Sequence, residues 1–144
     1  MRHALVALLV CLGQPACAHD GVHVTDAYAV VVSPNAPTAA VYFEVENHGV
    51  MEDRLISATT DAARMAMLHE SVETDGVMSM GDVAGFVVEG QGTFTLARGG
   101  AHVMLMGLTK PLADGDTITV TLTFEHAGDV VVEVPVNPAV IPGE

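Results

Sequence analysis

Residues 117–125 read Thr-Ile-Thr-Val-Thr-Leu-Thr-Phe-Glu, and this stretch leaves the chain little choice of fold. Side chains of a strand alternate between its two faces. Ile118, Val120, Leu122 and Phe124 therefore face a core, and the threonines face water. A strand buried on one side needs partner strands, and the rest of the chain supplies them. Val22 to Val32 is rich in β-branched residues and stops at Ser33-Pro-Asn-Ala-Pro37. Thr38 to Asn47 alternates, with Val41, Phe43 and Val45 on one parity, and Asn47-His48-Gly49 is a turn. Further strands are expected at 52–60, 65–72, 77–80, 86–89, 93–97, 102–108 and 130–136. Turns rich in Gly, Asp and Pro separate them, among them the hairpin signal Thr74-Asp75-Gly76. Asp61-Ala62-Ala63 is too short to commit to a helix. Many short strands without a long helix predict one all-β domain, an antiparallel Greek-key sandwich or barrel. The Pro-containing tail from Asn137 is expected to be loose.

The first 18 residues stand apart. Arg2 and His3 are basic, Ala4 to Leu12 is apolar, and Ala16-Cys17-Ala18 places small residues at a cleavage site. That order predicts a secretory signal peptide over 1–18 and a mature domain over 19–144. The apolar run is too short to span a bilayer. Lipid attachment at Cys17 is the lesser alternative, because Gln14 and Pro15 sit where an apolar and a small residue are expected. Both cysteines, Cys11 and Cys17, fall in the leader, so the mature chain must stand on its core without disulfides. With half its residues apolar, it has the material for one. Past the leader, four basic residues face eighteen acidic ones, 4 − 18 = −14. Such a surface repels nucleic acid and anionic lipid.

Two clusters carry chemistry. In His102-Val-Met-Leu-Met-Gly-Leu108, His102, Met104 and Met106 share a face of the expected strand. Upstream lie His69 and the Met78-Ser-Met80 pair, whose two thioethers also share a face. Imidazole and thioether are neutral donors suited to soft Cu(I), and thioether is a poor ligand for Zn, Mg or Ca. A blue-copper centre needs a Cys thiolate beside two His, which the mature chain lacks. Spacing alone does not choose between Met78 and Met80. A lone Met is usually core filler, and core or rim packing is expected for Met51, Met65, Met67 and Met106. His48 and His126 belong to turns and are expected in solvent.

Ten residues separate His69 from Met80, twenty-one separate Met80 from His102, and one separates His102 from Met104. This resembles the His-x10-Met-x21-His-x-Met pattern of the periplasmic Cu-A chaperone family, PCu(A)C. The flanks are similar too: His69-Glu70, Asp75-Gly-Val-Met-Ser-Met80, Gly99-Gly100, Met104-Leu-Met-Gly-Leu108 and Gly115-Asp116. The resemblance runs from about Val24 to Val134. It implies a cupredoxin-like β-barrel that holds one Cu(I) per chain through His69, Met80, His102 and Met104. It also implies a periplasmic monomer that passes copper to a receiving protein, such as cytochrome c oxidase subunit II during Cu-A assembly, or to another copper chaperone. Some members add a His- and Met-rich Cu(II) tail. Residues 136–144, Val-Asn-Pro-Ala-Val-Ile-Pro-Gly-Glu, contain neither residue, so that role is not expected.

The competing functions are a copper buffer or resistance protein without a client, a copper oxidoreductase, and a metal-free adhesion or assembly sandwich. No acid/base pair or nucleophile constellation speaks for an enzyme. Cleavage after Ala18 would leave His19 at the amino terminus with His23 close behind, an accessory Cu(II) site in prospect. An apolar rim of Met104, Met106 or Leu108 beside the copper is expected if a partner docks there.

Overall fold

The computed structural model of the chain is described over residues 21–138. The expected leader, both cysteines and His19 lie outside that range. Ten strands follow one another: β1 (Val22–Val31), β2 (Thr38–Asn47), β3 (Asp53–Thr59), β4 (Ala63–Thr74), β5 (Val77–Asp82), β6 (Phe86–Val88), β7 (Thr93–Leu96), β8 (Ala101–Leu108), β9 (Thr117–Phe124) and β10 (Gly128–Pro138). Among the described residues no helix is long and apolar enough to cross a membrane.

The ladder order is β5-β4-β8-β2-β1-β10-β9-β3-β6, with β7 also paired to β2. Strand β2 serves β8 through Thr38–Val41 and β7 through Phe43–Glu46 along the same edge. Strand β10 runs with β9 along 128–135 and then crosses to β1, where Val136, Asn137 and Pro138 pair in parallel with Ala29, Val30 and Val31. This corrects two expectations. The sheet is mixed rather than wholly antiparallel, because first and last strands run the same way where they meet. Asn137 and Pro138 are held in that pairing and are not a loose tail.

The core lies between the faces of the two halves. Ile118, Val120, Leu122 and Phe124 of β9 are buried together with Leu55, Phe86 and Val88. From the other half come Val41, Phe43, Leu68, Val103 and Leu105. At 61–63 the chain makes a turn into β4 rather than a helical segment. Asp75 and Gly76, at φ 52° and 77°, form the β4–β5 hairpin turn that the sequence announced.

Two buried polar side chains tie the loops down. Asn47 donates to the carbonyls of Met51 and Val88 and accepts from the Gly49 N–H. Asp53 accepts from the backbone N–H groups of Arg54, His126 and Ala127. Replacing Asp53 with alanine strands those donors, at an expected loss of about 2–4 kcal/mol. Denaturant midpoints of the two proteins measure it, and a shift within error would show that water takes over the carboxylate's role.

Candidate metal centre

The site is built on the face of β5-β4-β8-β2 that points away from the core. Leu68 pairs with Val103, and Ala66 with Leu105, on the core side. The alternate pairs lie on the opposite face: His69 with His102, Met67 with Met104, and Met65 with Met106. Strand β5 extends this face, pairing Asp82 with His69, Met80 with Ser71 and Met78 with Glu73. All four residues of the expected ligand set, His69, Met80, His102 and Met104, therefore project from one surface.

The two imidazoles are in contact, with ring centroids 5.7 Å apart and planes at 73°. Although on the outer face, His102 is only 3% exposed. Tyr42 lies against it at 6.1 Å and Tyr28 lies behind Tyr42 at 5.4 Å. Burial pushes the Tyr42 hydroxyl above its ordinary pKa, with Arg98 offsetting part of the rise, so the site wall carries a neutral phenol. Beside Met104 is an open hollow of about 350 Å³, lined in part by Val32, Tyr42 and Arg98.

The ring nitrogens carry the chemical signal. His102 Nδ1 is 3.0 Å from the Gly100 carbonyl, which the Ser71 N–H also contacts at 3.1 Å. The turn that places this carbonyl needs Gly99 at φ 81°. His102 Nε2 is buried and has no hydrogen-bond partner. Both nitrogens of His69 are buried and equally unpartnered by hydrogen bonds. Asp82 Oδ1 lies 2.6 Å from His69 Nε2, a close contact that is not lined up as a hydrogen bond. Buried polar atoms normally find partners, so unsatisfied nitrogens on two neighbouring imidazoles are what a metal would complete. Among the described residues, no three His, Cys, Asp or Glu side chains gather as a metal site. The further donors beside the two imidazoles on this face are thioethers, which suit a soft ion.

The methionines divide by position. Met104 is half-buried two residues from His102 on the same strand. Met80 stands two residues from the His69–Asp82 pair and Met78 four, about 7 and 13 Å along the strand. Both are 55% exposed. The centre is thus closed at its imidazole end and open at its β5 end. The expected apolar rim exists in different hands. Met65, Met78 and Met80 are exposed on this face, while Met104, Met106 and Leu108 are half-buried. Met51, expected in core or rim packing, is 73% exposed in a loop. Met67 faces Met104 directly. Its parity with His69 marked that place, and Asp82 shares the parity of Met78 and Met80. Tyr42 carried no such sign, because its neighbour His102 is sixty residues away. His48 and His126 are exposed, as expected. His23 is exposed, and its ring meets that of His48 at 5.0 Å.

Comparisons with known proteins bear on this arrangement. Residues 22–136 match the family model described as "Putative lipoprotein LpqE-like". The "Putative lipoprotein Lxx21020" of Leifsonia xyli subsp. xyli is 38% identical over 119 residues, covering 82% of this chain and 70% of that protein. The solution structure of Cu(I)-DR1885 from Deinococcus radiodurans is similar, with a TM-score of 0.65 and 32% identity, covering 83% of this chain and 82% of that one. The copper-bound PCuAC domain of PmoF2 superposes with a TM-score of 0.70 at 23% identity, covering 82% and 93% of the two chains. That last likeness establishes the fold alone: the all-β, cupredoxin-like fold of PCuAC domains.

Proposed function

The chain belongs to the LpqE-like family, and from that premise we propose that it is a copper chaperone, binding one Cu(I) through His69, Met80, His102 and Met104 outside the cytoplasm. The observation that carries this is the pair of contacting imidazoles, three of whose four ring nitrogens are buried without a hydrogen-bond partner, on a face lined with thioethers. The copper-bound state of DR1885, at 32% identity, supports the same reading. Two imidazoles and two thioethers are all neutral, so the four donors themselves add no charge to that of Cu(I). Without a thiolate it is not exposed to thiol oxidation in an oxidising compartment. The open β5 end gives a receiving protein access to Met80, while His69 and His102 hold the ion from below. Binding and handover need no catalytic step. We assign delivery to the Cu-A centre of cytochrome c oxidase as the destination, on the resemblance of the ligand pattern.

Titrating Cu(I) into the protein against a chromogenic chelator tests the reading. One equivalent should bind, with Zn(II) competing poorly. Met80→Ala should lower Cu(I) affinity on the order of tenfold or more, because it removes a donor. Met78→Ala should leave affinity near that of the parent, since Met78 stands a full pair step further off. Equal losses would move the fourth ligand away from Met80, and no Cu(I) binding at all would end the proposal. In the host, deletion that abolishes oxidase activity, restored by added copper, speaks for delivery. Copper sensitivity alone speaks for buffering. A lipid anchor on Cys17 is a second reading of how the domain is kept outside the cell, favoured by the lipoprotein designation of the family and of the relative from Leifsonia. Labelling with a fatty-acid analogue, with and without Cys17→Ala, decides it.

A further inference from the structure

We propose that Asp82 is a positioning residue that sets the tautomer of His69, so that the two imidazoles present opposite nitrogens to the ion: Nδ1 from His69 and Nε2 from His102. The inference deepens the copper reading and rests on it for what the free nitrogens face. A neutral imidazole carries one proton, and the nitrogen that holds it needs an acceptor. For His102 the acceptor is the Gly100 carbonyl, 3.0 Å from Nδ1. A carbonyl only accepts, so Nδ1 carries the hydrogen and the buried Nε2 keeps its lone pair. For His69 the acceptor within reach is the Asp82 carboxylate, 2.6 Å from Nε2. Its side chain is 63% exposed and is therefore free to turn its carboxylate onto an Nε2–H. The lone pair then falls to Nδ1, which is buried and has no hydrogen-bond partner.

The pairing of Asp82 with His69 across β4 and β5 fixes this geometry in the backbone. A carboxylate is a hard oxygen donor and a poor match for Cu(I), so Asp82 serves behind the imidazole. There it raises the basicity of the coordinating nitrogen and offsets the charge of the ion, as carboxylates behind metal-binding imidazoles do. Asp82 sits in a strand whose residues are all exposed, so its replacement leaves the core untouched.

The tautomers can be read in the metal-free, 15N-labelled protein at about pH 8, where imidazole is neutral, from two-bond nitrogen–proton correlations. His69 should show its proton on Nε2 and His102 on Nδ1. Asp82→Ala should turn His69 into a mixture of tautomers without changing His102. Asp82→Asn, which keeps an acceptor oxygen, should preserve the His69 tautomer. Cu(I) affinity should fall roughly 10–100-fold in Asp82→Ala, the usual range for outer partners of metal-binding His, and less in Asp82→Asn. A His69 proton found on Nδ1, or a His69 tautomer indifferent to Asp82→Ala, overturns the proposal. Because that measurement needs no metal, it is judged separately from the copper reading. Failure of the parent protein to bind Cu(I) sinks the latter alone.

Discussion

Replacing His102 with alanine is expected to weaken Cu(I) binding by more than about a hundredfold, beyond the roughly 10–100-fold that loss of an outer partner causes. His102 is buried, and its ring is aimed by the Gly100 carbonyl. It also shares β8 with Met104, so half of the donor set arrives on one rigid strand. The variant removes a donor from the preorganised half, where no neighbouring side chain of the same kind can move in. His69→Ala should come next in severity, since His69 is held by pairing with both β5 and β8. Met80→Ala should cost less than either, because Met80 is exposed at the open end. Chelator competition on each variant orders the three, with circular dichroism confirming that the strands persist. If His69→Ala and His102→Ala both bind like the parent, the ligand assignment is wrong and the copper reading loses its physical basis.

Phe124→Ala is expected to destabilise the fold by about 3–5 kcal/mol, the largest stability effect foreseen for any single change. Phe124 is 1% exposed and, at the end of β9, pairs with Leu55 of β3 on one side and Gly128 of β10 on the other. Truncation leaves a cavity that the paired backbones on both sides prevent from collapsing. Without disulfides in the described residues, nothing else restrains the unfolded chain. The melting temperature should fall on the order of 10–20 °C for a domain of this size. The change lies in the half of the sandwich that contributes no ligand, so Cu(I) affinity at low temperature should hold. A fall of less than about 1 kcal/mol would mean that the core repacks around the missing ring.

The alternation at 117–125 determined a half-buried strand by itself, because the period of two is a local property of extended backbone. The same parity argument put His102 beside Met104 and Met78 beside Met80 on common faces. The turn at Asp75-Gly76 was legible for a similar reason, since its backbone conformation selects those residues. What local pattern could not reach was which strands become neighbours. The pairing of β4 with β8 brings His69 against His102 across thirty-three residues of chain. The pairing of β4 with β5 sets Asp82 against His69 and places Met80 nearer than Met78. Tyr42 closes the site only because β2 lies on the far side of β8. The parallel seam of β1 with the end of β10, which holds Asn137, likewise follows from closure of the whole fold. Parity is written into each strand, whereas pairing depends on packing between distant segments: the sequence determined which donors each strand would present, and only the tertiary structure decided which of them meet.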